Sequence, residues 1–490
     1  MPRLDPAPEI LFADPDNRFA LSAAVARGSL RRIGRGIYTR SLDDPAAIVR
    51  RNLWAIVAHT FPGAVVSDRC GRQHSPEDGV LTVIHRRKRP VGLPGLTILP
   101  RPGHGPVTGD IPLPFGVWGA SPERAILDNI GGTSTRYLDD AAIEGWIVDF
   151  AAQRNGAARL NDLRDRARQI APALGRERAF LRLDALIAAA LTTAPATVAQ
   201  TPVLRAWAEG TPYDRVRIER FESLAAFLAD LAPEPLPALP ADIARRALLP
   251  FYEAYFSNYI EGTEFTLNEA AAIVFDAAVP ANRPKDAHDI LGTYRLVSDE
   301  SEMRRVPETA DGLVELLLHR HAVMLDARPE ANPGRFKDRA NQVGSTLFVA
   351  PDLVEATLRA GFDAGRALVD PFARAVFLMF LVAEVHPFTD GNGRIARVMM
   401  NAELAAAGQV RIIVPTVYRL NYLAALKGAT HNNAFGPLTA TLRFVQRYTA
   451  RLDLSDRASA ERDLARTNAL RDPNEADDYG VRLVLPTVEG

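Results

Sequence analysis

The stretch His386-Pro-Phe-Thr-Asp-Gly-Asn-Gly-Arg-Ile-Ala-Arg397 decides the fold of the second half of this 490-residue chain. The run before it, residues 375–385, is almost entirely apolar and predicts a buried helix. Pro387 lacks an N–H group and disfavours a helical conformation in the residue before it, so we expect this helix to end at His386. A second helix is expected to begin near Gly393, after a glycine-containing turn.

The turn and the start of the second helix have the composition of an anion-binding loop. Gly391 and Gly393 leave backbone N–H groups uncovered, and the beginning of a helix adds its positive dipole end at the same place. Arg394 and Arg397 are three positions apart, so both guanidinium groups lie on one face of that helix. Because the planar guanidinium group suits bidentate contacts with phosphate, the pattern predicts a phosphate site.

Two other side chains of the stretch supply reactive groups beside that phosphate site. Asp390 offers a hard oxygen ligand, and Mg²⁺ is usually held by one or two carboxylates together with substrate phosphates. His386 has an ordinary pKa near neutrality and is suited to remove a proton from an incoming hydroxyl group. The stretch therefore predicts an enzyme that transfers part of a nucleotide.

Every defined position of the stretch agrees with the motif of the Fic family, His-Pro-Phe-x-Asp/Glu-Gly-Asn-Gly-Arg-x-x-Arg. The chain resembles this family over about residues 240–450, including residues 333–336, 348–351, 414–419 and 422–426. The resemblance implies a mainly helical bundle with a small β-hairpin flap. It also implies transfer of AMP from ATP to a serine, threonine or tyrosine hydroxyl of a target protein or of the protein itself, with release of pyrophosphate.

The resemblance carries roles over to individual residues by motif position. His386 would be the general base, Asp390 the Mg²⁺ ligand, Gly391, Asn392 and Gly393 the α-phosphate site, and Arg394 and Arg397 the site for the β- and γ-phosphates. The flap, around residues 344–349, would add a segment of the target as an extra strand. Two alternatives stay open: another donor, such as one that supplies UMP or phosphocholine, and a Fic fold kept only as a scaffold.

A second segment, Ser257-Asn-Tyr-Ile-Glu261-Gly262, resembles the Fic inhibitory motif Ser/Thr-x-x-x-Glu-Gly/Asn. It lies at the end of a predicted helix over residues 250–262, as in the subclass with an amino-terminal inhibitory helix. If Glu261 pairs with Arg397, it fills part of the γ-phosphate site and turns the phosphates away from in-line attack. Glu261 could instead be an ordinary carboxylate at a helix end, and whether it also supports removal of AMP is open.

Residues 1–120 differ from the remainder of the chain in their pattern of predicted helices and strands. They predict short helices at residues 21–27 and 46–60, a strand-like segment at residues 33–38 between these helices, and strands near residues 65–67, 81–85 and 96–99. A helix pair followed by a small hairpin is the outline of a winged helix. Residues 26–38, 62–67 and 121–128 resemble AbiE-type antitoxins and transcriptional regulators. The resemblance implies DNA binding through Arg31, Arg32 and Arg35. A solvated face of a protein-interaction domain is the alternative, and the cluster at residues 86–89 is either a wing or a solvated loop.

Composition agrees with several domains in a mainly α protein. Residues 1–100 carry 15 Lys and Arg against 9 Asp and Glu, whereas the whole chain has a net charge of −1. Amphipathic patterns predict a helical connector over residues 121–232, and the proline-rich residues 233–240 predict a boundary before a Fic domain at 241–450. A polar tail at 451–490 ends in a predicted strand, 481–486.

The cellular setting can also be predicted from the sequence. A single cysteine, Cys70, is compatible with a reducing environment, and no apolar run is long enough to span a bilayer. We therefore expect a cytoplasmic protein with no membrane contact. The expected partners are ATP, Mg²⁺, an unknown target protein and DNA. A homodimer is one expected assembly, because Fic relatives often dimerise.

Overall fold

The computed structural model describes residues 8–232, 234, 237 and 243–486, and the chain forms two compact units, residues 1–210 and 211–490. The proline-rich boundary predicted at residues 233–240 lies mostly outside the described residues, and the units divide earlier, between Gly210 and Thr211. The helix at residues 215–229 falls within the predicted connector, residues 121–232, but belongs to the second unit. Its Phe221 packs against Phe377 and Phe380 at ring-centroid distances of 6.3 and 6.2 Å, a contact that an amphipathic pattern alone cannot reveal.

The first unit contains two sheets. A three-stranded antiparallel sheet has the order β1-β3-β2, and a six-stranded mixed sheet has the order β6-β7-β5-β4-β9-β8, with parallel pairs β5/β7 and β4/β9. The strands are β1 (Ile10–Phe12), β2 (Arg31–Gly34), β3 (Ile37–Thr39), β4 (Val65–Val66), β5 (Val80–Ile84), β6 (Val91–Leu93), β7 (Leu96–Arg101), β8 (Ile111–Pro112) and β9 (Trp118–Gly119). Their buried aliphatic side chains form one core with the neighbouring helices.

The helices of the first unit surround these sheets and continue as a helical group after β9. They are α1 (Arg18–Ala26), α2 (Pro45–Arg51), α3 (Leu53–Thr60), α4 (Pro122–Asn129), α5 (Asp140–Ala151), α6 (Gly156–Leu174), α7 (Glu177–Ala190) and α8 (Pro202–Ala208). The single helix predicted over residues 46–60 is two helices, because the Asn52 backbone leaves the helical region and its side-chain amide donates to the carbonyl oxygen of Ile48.

The α+β character predicted for this region is confirmed, and the predicted helices and strands occur in the predicted order along the chain. The strand-like segment predicted at residues 33–38 forms the hairpin of β2 and β3 between α1 and α2, and β3 also pairs with β1. The winged-helix outline of residues 1–120 stays a prediction.

The described residues of the second unit form helices and one two-stranded hairpin, which confirms the mainly α prediction. Its elements are α9 (Arg215–Ala229), α10 (Leu249–Ile260), α11 (Leu267–Asp276), α12 (Pro284–Ser298), α13 (Ala310–Met324), β10 (Gln342–Val343), β11 (Thr346–Leu347), α14 (Val354–Gly365), α15 (Pro371–Val385), α16 (Asn392–Ala406), α17 (Arg419–Asn432), α18 (Phe435–Arg451), α19 (Arg457–Arg466) and α20 (Pro473–Asp478).

The centre of this unit is the antiparallel pair α15 and α16, joined by the loop at residues 386–391. Nearly all side chains of α15 are buried, as the apolar run predicted. The predicted terminal strand at residues 481–486 is wrong, since this segment has no regular structure. The tail instead forms α19 and α20 and packs on the unit, where the Tyr448 and Thr467 hydroxyl groups are 2.8 Å apart. No helix within the described ranges is long and apolar enough to cross a membrane.

Candidate active site

His386 ends helix α15 and takes a left-handed backbone conformation with φ of 54°. Its imidazole ring stacks on the ring of Phe348 with centroids 3.8 Å apart, and its Nδ1 lies 3.2 Å from the carbonyl oxygen of Ala383. A carbonyl oxygen can only accept a hydrogen bond, so Nδ1 carries the proton and Nε2 is left as the basic atom. Burial, with help from the positive charge of Lys337, lowers the pKa of His386 to about 4, so the ring is neutral at physiological pH.

The loop after His386 is held in shape by Asn392. Its Oδ1 accepts a hydrogen bond from the Phe388 N–H group, and its Nδ2 donates to the Phe388 carbonyl oxygen, both at 2.8 Å. Gly391 has φ of 76°, which a residue with a Cβ atom rarely adopts. The resemblance implies that Asn392 is part of the α-phosphate site. In the structure its side-chain amide closes the loop on Phe388.

Asn392→Ala is expected to lower the free energy of unfolding of the second unit by about 2 kcal/mol, since it leaves the buried Phe388 N–H group without a partner and removes one of the two donors to the Phe388 carbonyl oxygen. Far-ultraviolet circular dichroism during urea unfolding measures this change. The four tryptophans, Trp54, Trp118, Trp146 and Trp207, lie in the first unit, so the tryptophan fluorescence transition should not move. The matched control is Asn421→Ala, at an exposed position of α17; an equal loss from both variants would contradict the role of Asn392.

Glu261 at the end of α10 reaches the start of α16. Its Oε1 lies 2.7 Å from Nη2 of Arg397, whose Nε and Nη2 also donate to the Ser257 hydroxyl and carbonyl oxygens at 3.0 and 2.8 Å. A Cβ atom added to Gly393 would lie 2.2 Å from the same Glu261 oxygen. The carboxylate therefore rests against the first turn of α16, where an anion is favoured, and only glycine at position 393 lets it approach so closely. The adjacent Gly262 has φ of 92° and lets the chain turn away after this contact.

Arg394 does not point freely into the site, because two carboxylates and an amide hold its guanidinium group. Nη1 lies 2.7 Å from Oδ2 of Asp289 and 3.2 Å from Oδ1 of Asn258, and Nη2 lies 3.5 Å from Oδ1 of Asp390. Arg328 completes the cluster, 2.9 Å from Asp289 and 3.2 Å from Asp390. Sequence reasoning missed Asp289 and Arg328; the only sign of Asp289 was a charged residue among the apolar positions of α12.

His321 fixes the other side of the loop. Its Nδ1 accepts a hydrogen bond from the Gly334 N–H group at 3.0 Å, so Nε2 carries the proton and donates to the Asp390 carbonyl oxygen at 3.1 Å. Its ring also stacks on Phe388 with centroids 3.8 Å apart. Burial lowers the pKa of His321 to about 4, which keeps this hydrogen-bond pattern at neutral pH. His321 is thus a structural support of the loop rather than a reactive group.

Residues 312–404 match the sequence profile of the Fic/DOC family, and this range contains the loop with all the motif residues described above. Residues 312–404 form a Fic domain. The range begins in α13 and ends in α16, so the inhibitory segment on α10 precedes it along the chain.

Curated relatives agree with this assignment. The chain is 32% identical over 209 residues to the protein adenylyltransferase Fic of Nematostella vectensis, across 41% of this chain and 47% of that protein. It is 26% identical over 204 residues to the protein adenylyltransferase fic-1 of Caenorhabditis elegans, across 41% of this chain and 39% of that protein. The chain spans less than half the length of the curated relatives it matches.

Two solved structures are also similar to the chain. One is a Fic domain containing signaling protein from Bacteroides thetaiotaomicron VPI-5482, 20% identical, covering 48% of this chain and 95% of that one with a TM-score of 0.38. The other is residues 134–508 of Fic-1 from C. elegans, 20% identical, covering 66% of this chain and 92% of that one with a TM-score of 0.36.

The hairpin β10–β11 of the Fic domain, which we call the flap hairpin (residues 342–347), overlaps the flap predicted around residues 344–349. Its base is tied to the loop after His386. Asn341 Nδ2 donates to the Phe388 carbonyl oxygen at 2.9 Å, and Lys337 donates from its backbone N–H to Pro387 at 2.9 Å and from Nζ to Asn341 Oδ1 at 2.7 Å. Burial, followed by the nearby Arg217 charge, lowers the pKa of Lys337 to about 8. The flap hairpin and the loop therefore form one connected surface.

Asp390 is the one candidate metal ligand of the Fic domain. Its side chain is 44% exposed, and Oδ1 accepts a hydrogen bond from the Gly391 N–H group at 2.6 Å. Within the described residues, no group of three or more histidine, cysteine or acidic side chains could hold a metal ion. A single accessible carboxylate beside a phosphate loop fits Mg²⁺ that is coordinated mostly by water and substrate phosphates.

Proposed function

We propose that this chain is an autoinhibited protein adenylyltransferase that transfers AMP from ATP to a serine, threonine or tyrosine hydroxyl of a target protein or of itself. The observation that carries the proposal is the grouping of His386, Asp390 and Arg397 around the first turn of α16, at the end of a buried helix. Relatives named protein adenylyltransferase Fic support it. The fully formed loop speaks against a fold that is kept only as a scaffold.

The proposed reaction is an in-line substitution at the α-phosphorus of ATP. The target hydroxyl oxygen forms a bond to this phosphorus while the bond to the β-phosphate oxygen breaks and pyrophosphate leaves. In this reaction His386 Nε2 would accept the hydroxyl proton, and the backbone N–H groups of Gly391 and Gly393 would bind the α-phosphate. In the structure the Gly391 N–H group donates to Asp390 Oδ1 at 2.6 Å, so it would exchange this partner for the phosphate. Arg394 and Arg397 hold the β- and γ-phosphates. Asp390 would hold Mg²⁺, which neutralises charge on the phosphates.

Autoinhibition follows from the position of Glu261. Its carboxylate is paired with Arg397 and lies against Gly393, the region where the γ-phosphate would bind. Catalysis of nucleotidyl transfer depends on holding the donor in line with the attacking oxygen, so displaced phosphates react slowly. The native chain is therefore proposed to bind ATP in a poorly reactive position. Removal of AMP from a modified target is a second reaction that Glu261 would support by orienting water.

The group transferred is tested with the Glu261→Gly chain and differently labelled donors. Label on the α-phosphate of ATP is expected to remain on protein, whereas label on the γ-phosphate is expected to leave with pyrophosphate. Retention of the γ-label would indicate a kinase, and preferential labelling from UTP or CDP-choline would assign one of the alternative donors. The reverse activity is measured by incubating AMP-labelled protein with the native chain and following the released AMP.

The pH dependence of transfer is expected to reflect the low pKa of His386. The neutral ring is the active base, so its contribution is present above a pKa of about 4 and is lost as the pH falls through that value. The initial rate of the Glu261→Gly chain at saturating ATP should therefore be nearly constant between pH 6 and pH 8, on the order of a tenth of variation or less. A rate that falls by half near pH 6.5 would mean that His386 is not held in the buried, stacked environment described here.

A second candidate function is DNA binding by the first unit, with the Fic domain acting as a nucleotide sensor. A groove of this unit is lined by four cationic residues, Arg35, Arg87, Lys88 and Arg89. Of the three arginines predicted to contact DNA, Arg35 lines this groove, whereas the guanidinium group of Arg31 donates to the Ser41 and Asp43 carbonyl oxygens. The groove, rather than β2, is the surface that would neutralise phosphates.

Replacing Arg87, Lys88 and Arg89 together by alanine is expected to weaken binding to promoter duplex DNA. The slope of the logarithm of the binding constant against the logarithm of salt concentration should become shallower by about 3, one phosphate contact per residue. Fluorescence anisotropy at several salt concentrations measures both quantities. The Arg31→Ala/Arg32→Ala chain is the control and should keep its slope; absent or salt-insensitive binding of the native chain would remove this candidate.

A further inference from the structure

One guanidinium group of α9 joins the flap hairpin to the end of the helix that carries His386. Nη2 of Arg217 donates to the carbonyl oxygen of Leu347 at 2.7 Å, and its Nε lies 2.9 Å from Oε1 of Glu384. Glu384 lies on α15 two residues before His386, and 1% of its side chain is exposed. Arg217 thus touches both the outer strand of the hairpin and the segment that positions the base.

The carboxylate of Glu384 is a fixed anchor for this guanidinium group. Arg220, one helical turn after Arg217, also pairs with Glu384 Oε1, and the hydroxyl group of Thr430 donates to Oε2 at 2.7 Å. A buried carboxylate is destabilising unless its oxygens are paired, and both oxygens have partners here. The position of Arg217 is therefore set by the core of the unit rather than by solvent.

The backbone of the flap hairpin determines which groups point outward. A two-residue turn, Gly344-Ser345, follows Val343, and Gly344 has φ of 58°. Phe348 N–H donates to the Asn341 carbonyl oxygen at 3.2 Å, so the intervening pair Gln342 and Leu347 is the non-hydrogen-bonded pair of the ladder. The N–H and C=O groups of these two residues consequently point away from the hairpin, one set along each edge.

The two edges differ in what covers them. Along β11 the Leu347 carbonyl oxygen accepts from Arg217, and the Thr346 hydroxyl is 2.8 Å from Nε2 of His431 on α17. Along β10, Gln342 is exposed, and among the described residues none outside the hairpin bonds to its backbone. A strand edge whose backbone N–H and C=O groups are unpaired can hydrogen-bond to an added strand. An edge whose carbonyl oxygen already accepts a hydrogen bond cannot pair in this way.

We propose that Arg217 is a positioning residue that pins the flap hairpin and closes its β11 edge, so that an extended segment of the target protein adds as a strand along β10. The β10 edge also begins at Asn341, which contacts the loop after His386. A segment bound there is presented beside that loop. This inference rests on the proposed adenylyl transfer for its functional consequence, but the pinning of the hairpin can be measured without it.

The first experiment measures amide hydrogen exchange of residues 340–349 in the full chain. Arg217→Ala is expected to speed exchange in this segment by about tenfold, because the hairpin then opens more often. Arg217→Lys, which keeps the charge and one donor, should restore part of the protection. Arg215→Ala is the matched control, since Arg215 pairs with Glu219 on the same helix. Unchanged exchange in Arg217→Ala would overturn the pinning.

The second experiment separates the two edges with proline, which removes one outward N–H group and keeps the bonds inside the hairpin. Gln342→Pro and Leu347→Pro are each introduced into the Glu261→Gly chain. Incorporation of label from α-labelled ATP is then measured on two acceptors, the enzyme itself and a tagged, inactive copy that carries Glu261→Gly and His386→Ala. Gln342→Pro should reduce labelling at least tenfold, with an unchanged affinity for ATP, while Leu347→Pro keeps it. Equal loss from both, or loss from Leu347→Pro alone, would overturn the edge assignment.

Failure of the proposed function is recognised separately. If the Glu261→Gly chain with a native hairpin labels no protein, adenylyl transfer is refuted, and the exchange experiment still decides whether Arg217 pins the hairpin. If labelling occurs and exchange is unchanged in Arg217→Ala, the transferase proposal stands and the pinning is refuted.

Discussion

Glu261→Gly is expected to raise the initial rate of AMP incorporation by about 10²-fold over the native chain, because removing the carboxylate lets the phosphates of ATP bind in line with the attacking hydroxyl. In the native chain Glu261 lies 2.7 Å from Arg397 and against the first turn of α16. The substitution frees both the guanidinium group and the space beside Gly393. The measurement is incorporation of α-labelled ATP into protein at saturating ATP and Mg²⁺.

Two further variants test whether the increase in rate depends on the Glu261–Arg397 contact. Glu264→Gln removes an exposed carboxylate three residues further on and should leave the rate at the native level. Arg397→Ala also breaks the contact, but it removes a proposed phosphate ligand and should not activate the chain. Equal rates for the native and Glu261→Gly chains would contradict autoinhibition by this residue.

His386→Ala in the Glu261→Gly background is expected to lower the transfer rate by about 10³-fold, the contribution typical of a positioned general base. Nε2 of His386 is the basic atom, since Nδ1 faces the Ala383 carbonyl oxygen. The affinity for ATP, measured by calorimetry, should change little, because the imidazole ring contacts Phe348 rather than the phosphate loop.

The control for this variant is His319→Ala, on α13, whose side chain is 48% exposed and lies outside the loop. It should leave the rate unchanged. Circular dichroism checks that both variants are folded, since His386 also ends α15 with a left-handed conformation. A His386→Ala chain that labels protein as fast as its parent would place the base elsewhere and refute the mechanism.

Much of the Fic domain could be predicted because its motif is continuous along the chain. The buried helix predicted from the apolar run at residues 375–385 is part of α15, Pro371–Val385, and the helix expected near Gly393 is α16, which begins at Asn392. The Fic domain itself is confirmed by the family match. Apolar periodicity, proline and glycine act on neighbouring residues, and these local effects are visible in a sequence.

Other features of the site depend on residues far apart in the chain. Asp289 and Arg328 meet Arg394 and Asp390 only because α12 and the segment that follows α13 lie beside α16, and no short motif marks them. The side-chain amide of Asn392 bonds both backbone groups of Phe388, a contact that satisfies buried polar groups of the loop and that the motif alone does not show. The division of the units at Gly210 likewise depends on where Phe221 packs.

The sequence by itself determined the phosphate loop with its base and arginines, because twelve consecutive residues that link two helices leave little freedom in their relative positions. Only the tertiary structure decided that Glu261 reaches Arg397, 136 positions away, and that Arg217 reaches Leu347, 130 positions away. Both contacts require their helices to pack in one particular relative position. That position is set by the whole hydrophobic core rather than by residues that are neighbours in the sequence. The restraint on the site and the closed edge of its flap hairpin are therefore properties of the fold.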